Sequence, residues 1–453
     1  MSLDTRKIVA KECRFAIHCN TYVDYKDDYH IVKEVIHYDN GDVEPYLKLV
    51  KDYLRPFFIT KKGYQKYKDK KEYTELDKVI RYDVTQSSLR DSVAKALDKV
   101  WSKENLKKLS NSPYLYGSDL PSTSYIKKEY LDANSTHITD YSVAAFDIEF
   151  DVVTGVKQIT MATITMGNKV FTAILRDFVK GIVDVEGRVE RCQKKYLTKY
   201  EEKRKLISES KVYETEIDMV RAAIDKAHEW KPDFLAIWNI DYDIPRIIEA
   251  CERAKVDPKD IFSDPNIPRQ LRFFEYKQGQ KKKVTASGKV TPIKPANQWH
   301  SVFTPASFYI IDAMCAYRHI RLAEPEERSY SLNAILTKEL GIRKLEFEEA
   351  DHLDGLKWHQ FMQSNYKIEY IVYNRFDTIA MLELDEKIND LAVVLPLFAG
   401  ISDFSKFNSQ PKRCNDDLSM YCWAKGLVFG TTGSNMETDF DSETLDLSGW
   451  IRI

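Results

Sequence analysis

The chain has 453 residues, of which 43% are hydrophobic and 30% charged, and its formal net charge at pH 7 is −2. This length exceeds that of one ordinary domain, so two or three domains are expected. The near-neutral charge excludes a bulk attraction to nucleic acid, so any nucleic-acid surface has to be a local basic patch. The sequence has no apolar run of membrane-span length and no C-x-x-C pair among its seven cysteines, and the segment MSLDTRKIVA (1–10) lacks the apolar core of a signal peptide. We therefore expect a cytoplasmic protein without a membrane partner.

Residues 1–140 are expected to form a mixed α/β N-terminal domain. Short β-like runs such as RPFFIT (55–60) precede a stretch in which Leu89, Val93 and Leu97 recur at helical spacing. Turn residues then crowd the segment NSPYLYGSDLPSTS (111–124), which predicts a boundary loop.

From 141 to 390, predicted strands and helices alternate. YSVAAFDIEF (141–150) is typical of a strand, and the next two strands are predicted to form a hairpin that turns at Gly167 and Asn168. The continuously apolar FLAIW (234–238) predicts a strand buried on both faces, and a helix with Pro245 in its first turn follows. This order predicts an α/β fold with a mixed sheet covered by helices.

The last region, 391–453, is expected to be helical around DDLSMYCWAKG (416–426) and then to continue as a polar tail. The tail has too few apolar residues to form a core of its own. We interpret this region as a helical connection toward a further domain.

Two carboxylates share the first strand of the central region. Asp147 and Glu149 are two residues apart, so both side chains leave the same face of the sheet. They repel each other and resist burial, and divalent metal ions bound through oxygen are the simplest way to hold them together. The alternative is a solvated face, with Phe146, Ile148 and Phe150 filling the core behind it.

Two later segments carry further candidates. Asp243 follows the buried strand at the entrance to a helix, where active-site groups usually project, but it could equally cap that helix. Asn239 could equally be a turn residue. Tyr373 and Asp377 are four residues apart on a predicted helix, where they could bind a metal and orient a water or be an incidental surface pair.

Taken together, these residues read D-x-E, N-x-x-Y-D and Y-x-x-x-D in chain order. This order resembles the Exo I, Exo II and Exo III motifs of family B DNA polymerases, within the tyrosine subtype of the DEDD exonucleases. SVAAFDIEF, FLAIWNIDYDIP, FYIIDAMCAY and YSLNAIL are each similar to segments of bacteriophage replicative polymerases, and YLRPFFIT is similar to a strand of their N-terminal domain. The likeness covers most of residues 40–425. Many family members place one more residue between Asn239 and the Tyr-Asp pair, which puts the role of Asn239 in question.

The resemblance implies a set of catalytic residues. Asp147, Glu149, Asp243 and Asp377 would hold two divalent metal ions, Mg²⁺ or Mn²⁺, and Tyr373 would position the attacking water. The implied activity is hydrolysis of the 3′-terminal phosphodiester of DNA, as the 3′→5′ proofreading exonuclease of a DNA-directed DNA polymerase. The substrate would be a single-stranded 3′ end or a primer–template.

The resemblance also implies a ribonuclease H-like exonuclease domain at 141–390, preceded by the smaller N-terminal domain. The polymerase motifs D-x-x-S-L-Y and D-T-D do not occur in the sequence. The palm, fingers and thumb would then belong to another chain, as in a split gene, or to C-terminal sequence that is missing here. A sliding clamp is a further candidate partner, and a phage-encoded protein would act in the host cytoplasm.

One basic segment is a candidate DNA contact. RFFEYKQGQKKKVTASGKVTP (272–292) predicts a β-hairpin with Lys281, Lys282 and Lys283 as a basic tip. By position it is similar to the hairpin that helps the family separate a mismatched primer end from its template, and Asn239 is a further candidate for contacting DNA. The alternative is a solvated surface hairpin. The lysine- and tyrosine-rich segment 61–73 suits single-stranded nucleic acid, but a charged surface helix above buried tyrosines is favoured there.

Two other functions remain open at the level of the sequence. A non-catalytic module could keep the fold and only bind DNA or dock a polymerase, which predicts salt-dependent binding without cleavage. A free-standing DEDD exonuclease could instead act on RNA. The intact set of four acids favours an enzyme over a binding module.

Overall fold

The computed structural model describes residues 6–20, 28–99, 105–136, 139–285, 287–391 and 410–430. The chain divides into two compact units, one formed by Met1–Ile138 with Leu397–Ile453 and the other by Thr139–Pro396. All the candidate catalytic residues belong to the second unit. Among the residues so described, no helix combines the length and the apolar character needed to cross a membrane.

The first unit begins with antiparallel sheets and short helices. Its strands are β1 (Ile8–Asn20), β2 (Asp28–Tyr38), β3 (Val43–Lys51), β4 (Arg55–Thr60), β5 (Tyr73–Glu75), β6 (Val79–Val84) and β7 (Leu115–Tyr116). Its helices are α1 (Leu89–Ala96), α2 (Leu106–Leu109) and α3 (Ser122–Asn134). Strands β1, β2 and β3 form one sheet, and β4 lies between β6 and β7 in another.

Strand β4 is buried along its whole length because it packs on both faces. Successive strand residues point to opposite sides, so Phe57 packs with Val93 of α1 while Phe58 packs with Tyr116. Leu115 and Tyr116 are fully buried, so the prediction of a boundary loop at 111–124 is wrong there. Leu115 and Tyr116 form strand β7 because the burial of their side chains outweighs the turn preference of the flanking residues.

The segment 61–73 does not form the predicted surface helix. Lys62–Tyr64 make a single 3₁₀ turn, and the chain stays irregular up to β5. The Tyr67 hydroxyl lies 2.9 Å from Thr60 Oγ1, and the Tyr67 ring packs edge-on against Tyr114. These contacts to β4 and to the segment before β7 hold the irregular chain in place without a helix.

The second unit carries a large mixed sheet. Its strands are β8 (Val143–Phe150), β9 (Ile159–Met166), β10 (Lys169–Leu175), β11 (Ile207–Tyr213), β12 (Phe234–Ile237), β13 (Glu275–Lys277), β14 (Lys282–Val284), β15 (Val290–Pro292), β16 (Ser301–Phe303) and β17 (Tyr309–Asp312). Eight of these described strands form one sheet in the order β11-β10-β9-β8-β12-β17-β16-β13. β9 is antiparallel to β8 and β10, as predicted for the hairpin. β8, β12 and β17 are parallel.

Helices cover both faces of this sheet, which confirms the predicted mixed α/β class. They are α4 (Val185–Tyr196), α5 (Thr198–Arg204), α6 (Glu216–Trp230), α7 (Ile240–Ala254), α8 (Lys259–Phe262), α9 (Ala313–Ile320), α10 (Leu332–Leu340), α11 (Gly355–Asn365) and α12 (Lys367–Ile388). On one face Thr165 of β9 lies 2.7 Å from Thr378 of α12, measured between hydroxyl oxygens. On the other face Lys226 of α6 lies over the ring of Phe171 of β10.

The parallel strands bring the candidate residues to one edge of the sheet. In the register of β8, β12 and β17, Phe146 pairs with Ile237 and Ile237 pairs with Asp312. The carboxyl ends of the three strands therefore meet, and Asp147 lies one residue beyond Phe146 at that edge. Helix α7 starts there as well, directly after β12.

Helix α7 begins earlier than the sequence predicts. Its N-cap is Asn239 and its first residue is Ile240, so Pro245 lies in the second turn and not in the first. The prediction placed Pro245 where its missing N–H costs nothing, but in this position it removes a hydrogen bond to the carbonyl of Asp241. Only Trp238 and Asn239 separate the end of β12 from the first residue of the helix.

Strands β14 and β15 form the predicted hairpin, but the three lysines are not its tip. Lys281 precedes β14, Lys282 and Lys283 lie within it, and the turn is closed where the Gly288 N–H donates to the Thr285 carbonyl at 2.8 Å. Gly288 has φ +77°, a conformation that glycine adopts at little cost, and this places the turn after the lysines.

Within the predicted last region, the described residues 410–430 belong to the first unit, whereas Leu391 belongs to the second. Residues 410–430 contain the predicted helix, α13 (Gln410–Ala424), and a short strand, β18 (Leu427–Phe429). β18 pairs with β5. Met420 of α13 packs with Leu120 and Tyr125. The predicted polar tail, 431–453, lies outside the described residues.

Candidate metal centre

Three of the predicted carboxylates converge at the edge of the sheet. Asp147, Glu149 and Asp377 each place one carboxylate oxygen in a group whose members all lie within 4.8 Å of one another. The first two leave β8 on the face covered by α12, and the third comes from α12 itself. A strand and a helix more than 200 residues apart in sequence therefore supply one cluster of oxygen atoms, as their numbering shows.

The burial of these residues decides between the alternatives left open by the sequence. Tyr373 and Asp377 are only 5% and 3% exposed, so they are not an incidental pair on a helix surface. Asp147 and Glu149 are half-buried, but α12 covers their face and the two residues accept hydrogen bonds from it. The face is therefore not an open solvated one. Phe146 and Ile148 fill the core on the opposite side, as expected.

Asp243 lies beside this cluster without being a member of the group of three. It sits in the first turn of α7, is 2% exposed, and does not cap the helix, because Asn239 holds the N-cap position. Its Oδ1 atom is buried without a hydrogen-bond partner among the described residues. Burial and then the charge of Asp243 raise the pKa of Asp147 well above its usual value, so the two carboxyl groups interact.

Burial raises the pKa of all four acids, and repulsion between carboxylates adds to the rise for Asp147, Glu149 and Asp243. The pKa of Glu149 rises to about 7, mainly through burial, although the hydrogen bond from Tyr370 opposes the rise. Burial, followed by the charges of Glu149 and Asp312, raises the pKa of Asp243. Burial also raises the pKa of Asp377, and Lys344 opposes it. Such shifts mean that negative charge is under-compensated here, which a bound cation would reverse.

One stripe of α12 faces the carboxylates. Tyr370, Tyr373, Asn374 and Asp377 follow the i, i+3, i+4, i+7 spacing that places residues on one side of a helix. Asn374 Nδ2 donates to Asp147 Oδ2 at 2.6 Å, and the Tyr370 hydroxyl donates to Glu149 Oε2 at 2.6 Å. The sequence analysis selected Tyr373 and Asp377 and missed the other two. The same helical spacing, applied one turn earlier, would have found them.

Lys344 is a further residue that the sequence analysis missed. Its ammonium group donates to the Tyr373 hydroxyl at 2.9 Å and forms an ion pair with Asp377. Burial acts to lower the pKa of Lys344, but Asp377 and Tyr373 outweigh it and hold that pKa well above its usual value. Lys344 lies between α10 and α11, where no local pattern distinguishes it from other surface lysines.

Asp312, also missed, fixes the helices around the site. Its Oδ1 accepts the N–H of Cys315 at 2.8 Å and so caps α9. Its Oδ2 accepts the N–H of Ile240 at 3.2 Å, at the start of α7. Burial raises the pKa of Asp312 to about 7. One carboxyl group thus ties β17 to the helix that carries Asp243.

The candidate DNA contacts lie outside the carboxylate group. Lys282 and Lys283 are exposed on β14, whereas Lys281 Nζ lies 3.0 Å from Asp241 Oδ2 in an ion pair. Asp241 also accepts a hydrogen bond from the Tyr276 hydroxyl at 2.8 Å. The base of the hairpin is therefore attached to the first turn of α7. Asn239 occupies the N-cap position, but its side chain makes no capping hydrogen bond.

The chain matches no protein-family model and no curated protein. Its function has to be inferred from the chemistry of these residues.

Proposed function

We propose that this chain is a metal-dependent 3′→5′ exonuclease with a ribonuclease H-like catalytic unit, and that it serves as the proofreading part of a family B DNA polymerase. The observation that carries the proposal is the convergence of Asp147, Glu149 and Asp377 within 4.8 Å. Asp243 interacts electrostatically with the same cluster. Four acids from a strand and two helices at one sheet edge have no evident structural use, because their repulsion destabilises the fold.

The residues fit a divalent metal ion. All donors are carboxylate oxygens, which suit Mg²⁺ or Mn²⁺ better than Zn²⁺. Asp243 Oδ1 and Asp377 Oδ1 are both buried without a partner among the described residues, and a buried acceptor is costly until something satisfies it. Asp147, Glu149, Asp243 and Asp377 would hold the ions. When bound, two such ions supply charge that stabilises the attacking and the leaving oxygen of a phosphodiester.

Tyr373 and Lys344 supply the remaining groups. Burial, followed by the charge of Asp377, raises the pKa of Tyr373, so the phenol stays protonated at neutral pH. Its oxygen accepts a hydrogen bond from Lys344, and its own O–H can donate to a water molecule. Tyr373 would thus orient that water, and Lys344 would hold Tyr373 in place.

The proposed reaction is hydrolysis of the last phosphodiester at a DNA 3′ end. The oxygen of water forms a bond to phosphorus, the bond from phosphorus to the 3′ oxygen breaks, and that oxygen receives a proton. The products are a nucleoside 5′-monophosphate and a strand shortened by one nucleotide with a new 3′ hydroxyl.

The test is the degradation of a 5′-labelled single DNA strand with Mg²⁺ or Mn²⁺. We expect a ladder of shortened products, abolished by EDTA and reduced at least about 100-fold in Asp147→Ala and Asp377→Asn variants. Glu386→Gln is the matched control, because Glu386 lies on the same helix but pairs with Arg204 away from the cluster. Equal rates for wild type and Asp147→Ala would refute the catalytic proposal.

The same assay, run together with a binding measurement on the same strand, separates the other two functions. DNA binding without any ladder would indicate a docking module, and faster shortening of an RNA strand than of a DNA strand would indicate an RNA exonuclease. The proofreading role predicts that a mispaired 3′ end on a primer–template is removed faster than a paired one. Equal rates on both ends would contradict that role without contradicting exonuclease activity.

A further inference from the structure

A tyrosine outside the recognised motif holds one of the candidate metal ligands. Tyr370 lies one helical turn before Tyr373 on α12 and is 0% exposed. Its hydroxyl donates to Glu149 Oε2 at 2.6 Å. A glutamate has several rotatable bonds, and an ordered metal site requires that they be fixed.

The hydroxyl of Tyr370 is itself held by two side chains of α11. His359 Nδ1 lies 2.8 Å from it, and Gln363 Nε2 donates to it at 3.3 Å. Because the single hydroxyl proton goes to Glu149, the oxygen accepts from both neighbours, which places a proton on His359 Nδ1. The hydrogen bonds therefore run in one direction, from α11 through Tyr370 to the carboxylate.

The same glutamine ties this network to the end of β8. Gln363 Nε2 also donates to the carbonyl of Phe150 at 2.8 Å, and its Oε1 accepts the N–H of Val152 at 3.1 Å. The backbone that follows Glu149 and the side chain of Glu149 are thus fixed from one helix. Oε2 is engaged by Tyr370, which leaves the other carboxylate oxygen of Glu149 for a cation.

We propose that Tyr370, supported by His359 and Gln363, is a positioning residue that orients Glu149 toward a divalent metal ion. This inference rests on the proposed function and deepens it by assigning a second layer to the metal site. Groups that hydrogen-bond to metal ligands in this way typically contribute about 10–100-fold in metal affinity. The Tyr370 ring stacks on Tyr373 with centroids 5.8 Å apart, so a phenylalanine at 370 would keep the packing and lose only the hydroxyl.

The experiment is a Mn²⁺ titration of the full chain without substrate, followed by electron paramagnetic resonance. Mn²⁺ binding at the proposed site is the binding that the wild type shows and the Asp147→Asn variant lacks. We expect Tyr370→Phe to weaken that binding about 10–100-fold and His359→Phe to weaken it less. Tyr366→Phe, the same substitution at the start of the same helix, should leave it unchanged. If Tyr370→Phe proves unstable, His359→Phe carries the test alone.

A purely structural role would change the unfolding midpoint in EDTA and leave the Mn²⁺ affinity of the folded protein unaltered. Wild-type affinity in both Tyr370→Phe and His359→Phe would therefore overturn the positioning role while leaving the proposed function intact. Failure of the wild-type chain to bind Mn²⁺ through Asp147 would instead overturn the proposed function, and this inference with it.

Discussion

The ammonium nitrogen of Lys344 lies 2.9 Å from the hydroxyl oxygen of Tyr373. The same nitrogen forms an ion pair with Asp377, so one lysine contacts both members of the Y-x-x-x-D pair. The backbone N–H of Lys344 donates to Asn333 Oδ1 of α10 at 2.9 Å, which anchors the loop. A positive charge is thus built into a site that otherwise concentrates carboxylates.

Replacing Lys344 by methionine should destabilise the metal-free protein. The change keeps the aliphatic part of the side chain nearly unchanged in length, removes the ammonium group, and leaves Asp377 buried without its cation. We expect a loss of about 2 kcal/mol in the free energy of unfolding, less than for a fully buried pair because Lys344 is partly exposed. Mn²⁺ should shrink this loss by supplying positive charge. Unfolding midpoints with EDTA and with Mn²⁺ measure both effects. The neighbouring, exposed Arg343→Met is the control, and an equal loss under both conditions would count against this account.

Removing one acid from the cluster should have the opposite effect on the metal-free protein. Asp147→Asn keeps an oxygen for the hydrogen bond from Asn374 and removes the repulsion from Asp243, Glu149 and Asp377. We expect the variant to be about 1 kcal/mol more stable than wild type in EDTA, and to lose the rise in unfolding midpoint that Mn²⁺ produces.

The control for this second prediction is Asp241→Asn. That change breaks the ion pair with Lys281 outside the cluster, so it should leave stability unchanged or slightly lower it. Differential scanning calorimetry of the three proteins in EDTA decides the sign. An Asp147→Asn variant less stable than wild type would show that repulsion is not the dominant effect at this position.

The sequence predicted the elements that local pattern determines. β8 and the hairpin of β9 and β10 follow from apolar runs and a Gly-Asn turn, and β12 follows from a continuous apolar run. The spacing of two residues on a strand places the two acids on one face of the sheet. The spacing of four residues on a helix places the tyrosine and the acid on one face of that helix. These patterns alone leave a structural alternative open for each pair. The resemblance of their order to the Exo motifs singled out Asp147, Glu149 and Asp377, whose carboxylate oxygens converge within 4.8 Å.

The rest depends on contacts between segments distant in sequence. Lys344 reaches the cluster only because α10 packs near α12, and no periodicity marks a loop lysine for this role. The Asp312 carboxylate accepts a hydrogen bond from the Ile240 N–H. This contact depends on β12 and β17 being parallel neighbours, which the sequence does not show. Leu115 and Tyr116 pair with β4 although turn residues flank them, because burial outweighs local turn preference.

The hairpin lysines should contribute unequally to DNA binding. Lys282 and Lys283 are exposed, whereas the charge of Lys281 is engaged by Asp241 at 3.0 Å. We expect a Lys282→Ala, Lys283→Ala double variant to bind single-stranded DNA more weakly and to lower the salt slope of log affinity by about 1.4, since each phosphate contact on a single strand contributes about 0.7. Lys281→Ala should lower the salt slope less than Lys282→Ala or Lys283→Ala alone. Fluorescence anisotropy of labelled single-stranded DNA at several salt concentrations measures the slope.

The charge-matched control for the hairpin is the double variant Lys95→Ala, Lys107→Ala in the first unit. An equal salt slope for the two double variants would contradict a DNA-contacting hairpin.

A buried histidine in the first unit should make stability depend on pH. His30 is 0% exposed, its Nε2 lies 2.6 Å from Ser122 Oγ, and its Nδ1 has no hydrogen-bond partner among the described residues. Burial, followed by the nearby His18, lowers the pKa of His30 to about 4. Since the unfolded chain binds a proton near pH 6.5 and the folded chain only near pH 4, acid favours unfolding between these values.

The contribution of His30 is therefore fully present above pH 6.5 and is lost as the pH falls toward 4, by about 3 kcal/mol in total. Urea unfolding of the first unit from pH 7 to pH 4.5 measures the slope. His30→Asn should have a flatter profile than wild type, while His352→Asn, at an exposed position of the second unit, should keep the wild-type profile. The prediction fails if His30→Asn retains the wild-type slope, because the proton uptake that drives acid unfolding would then belong to other groups.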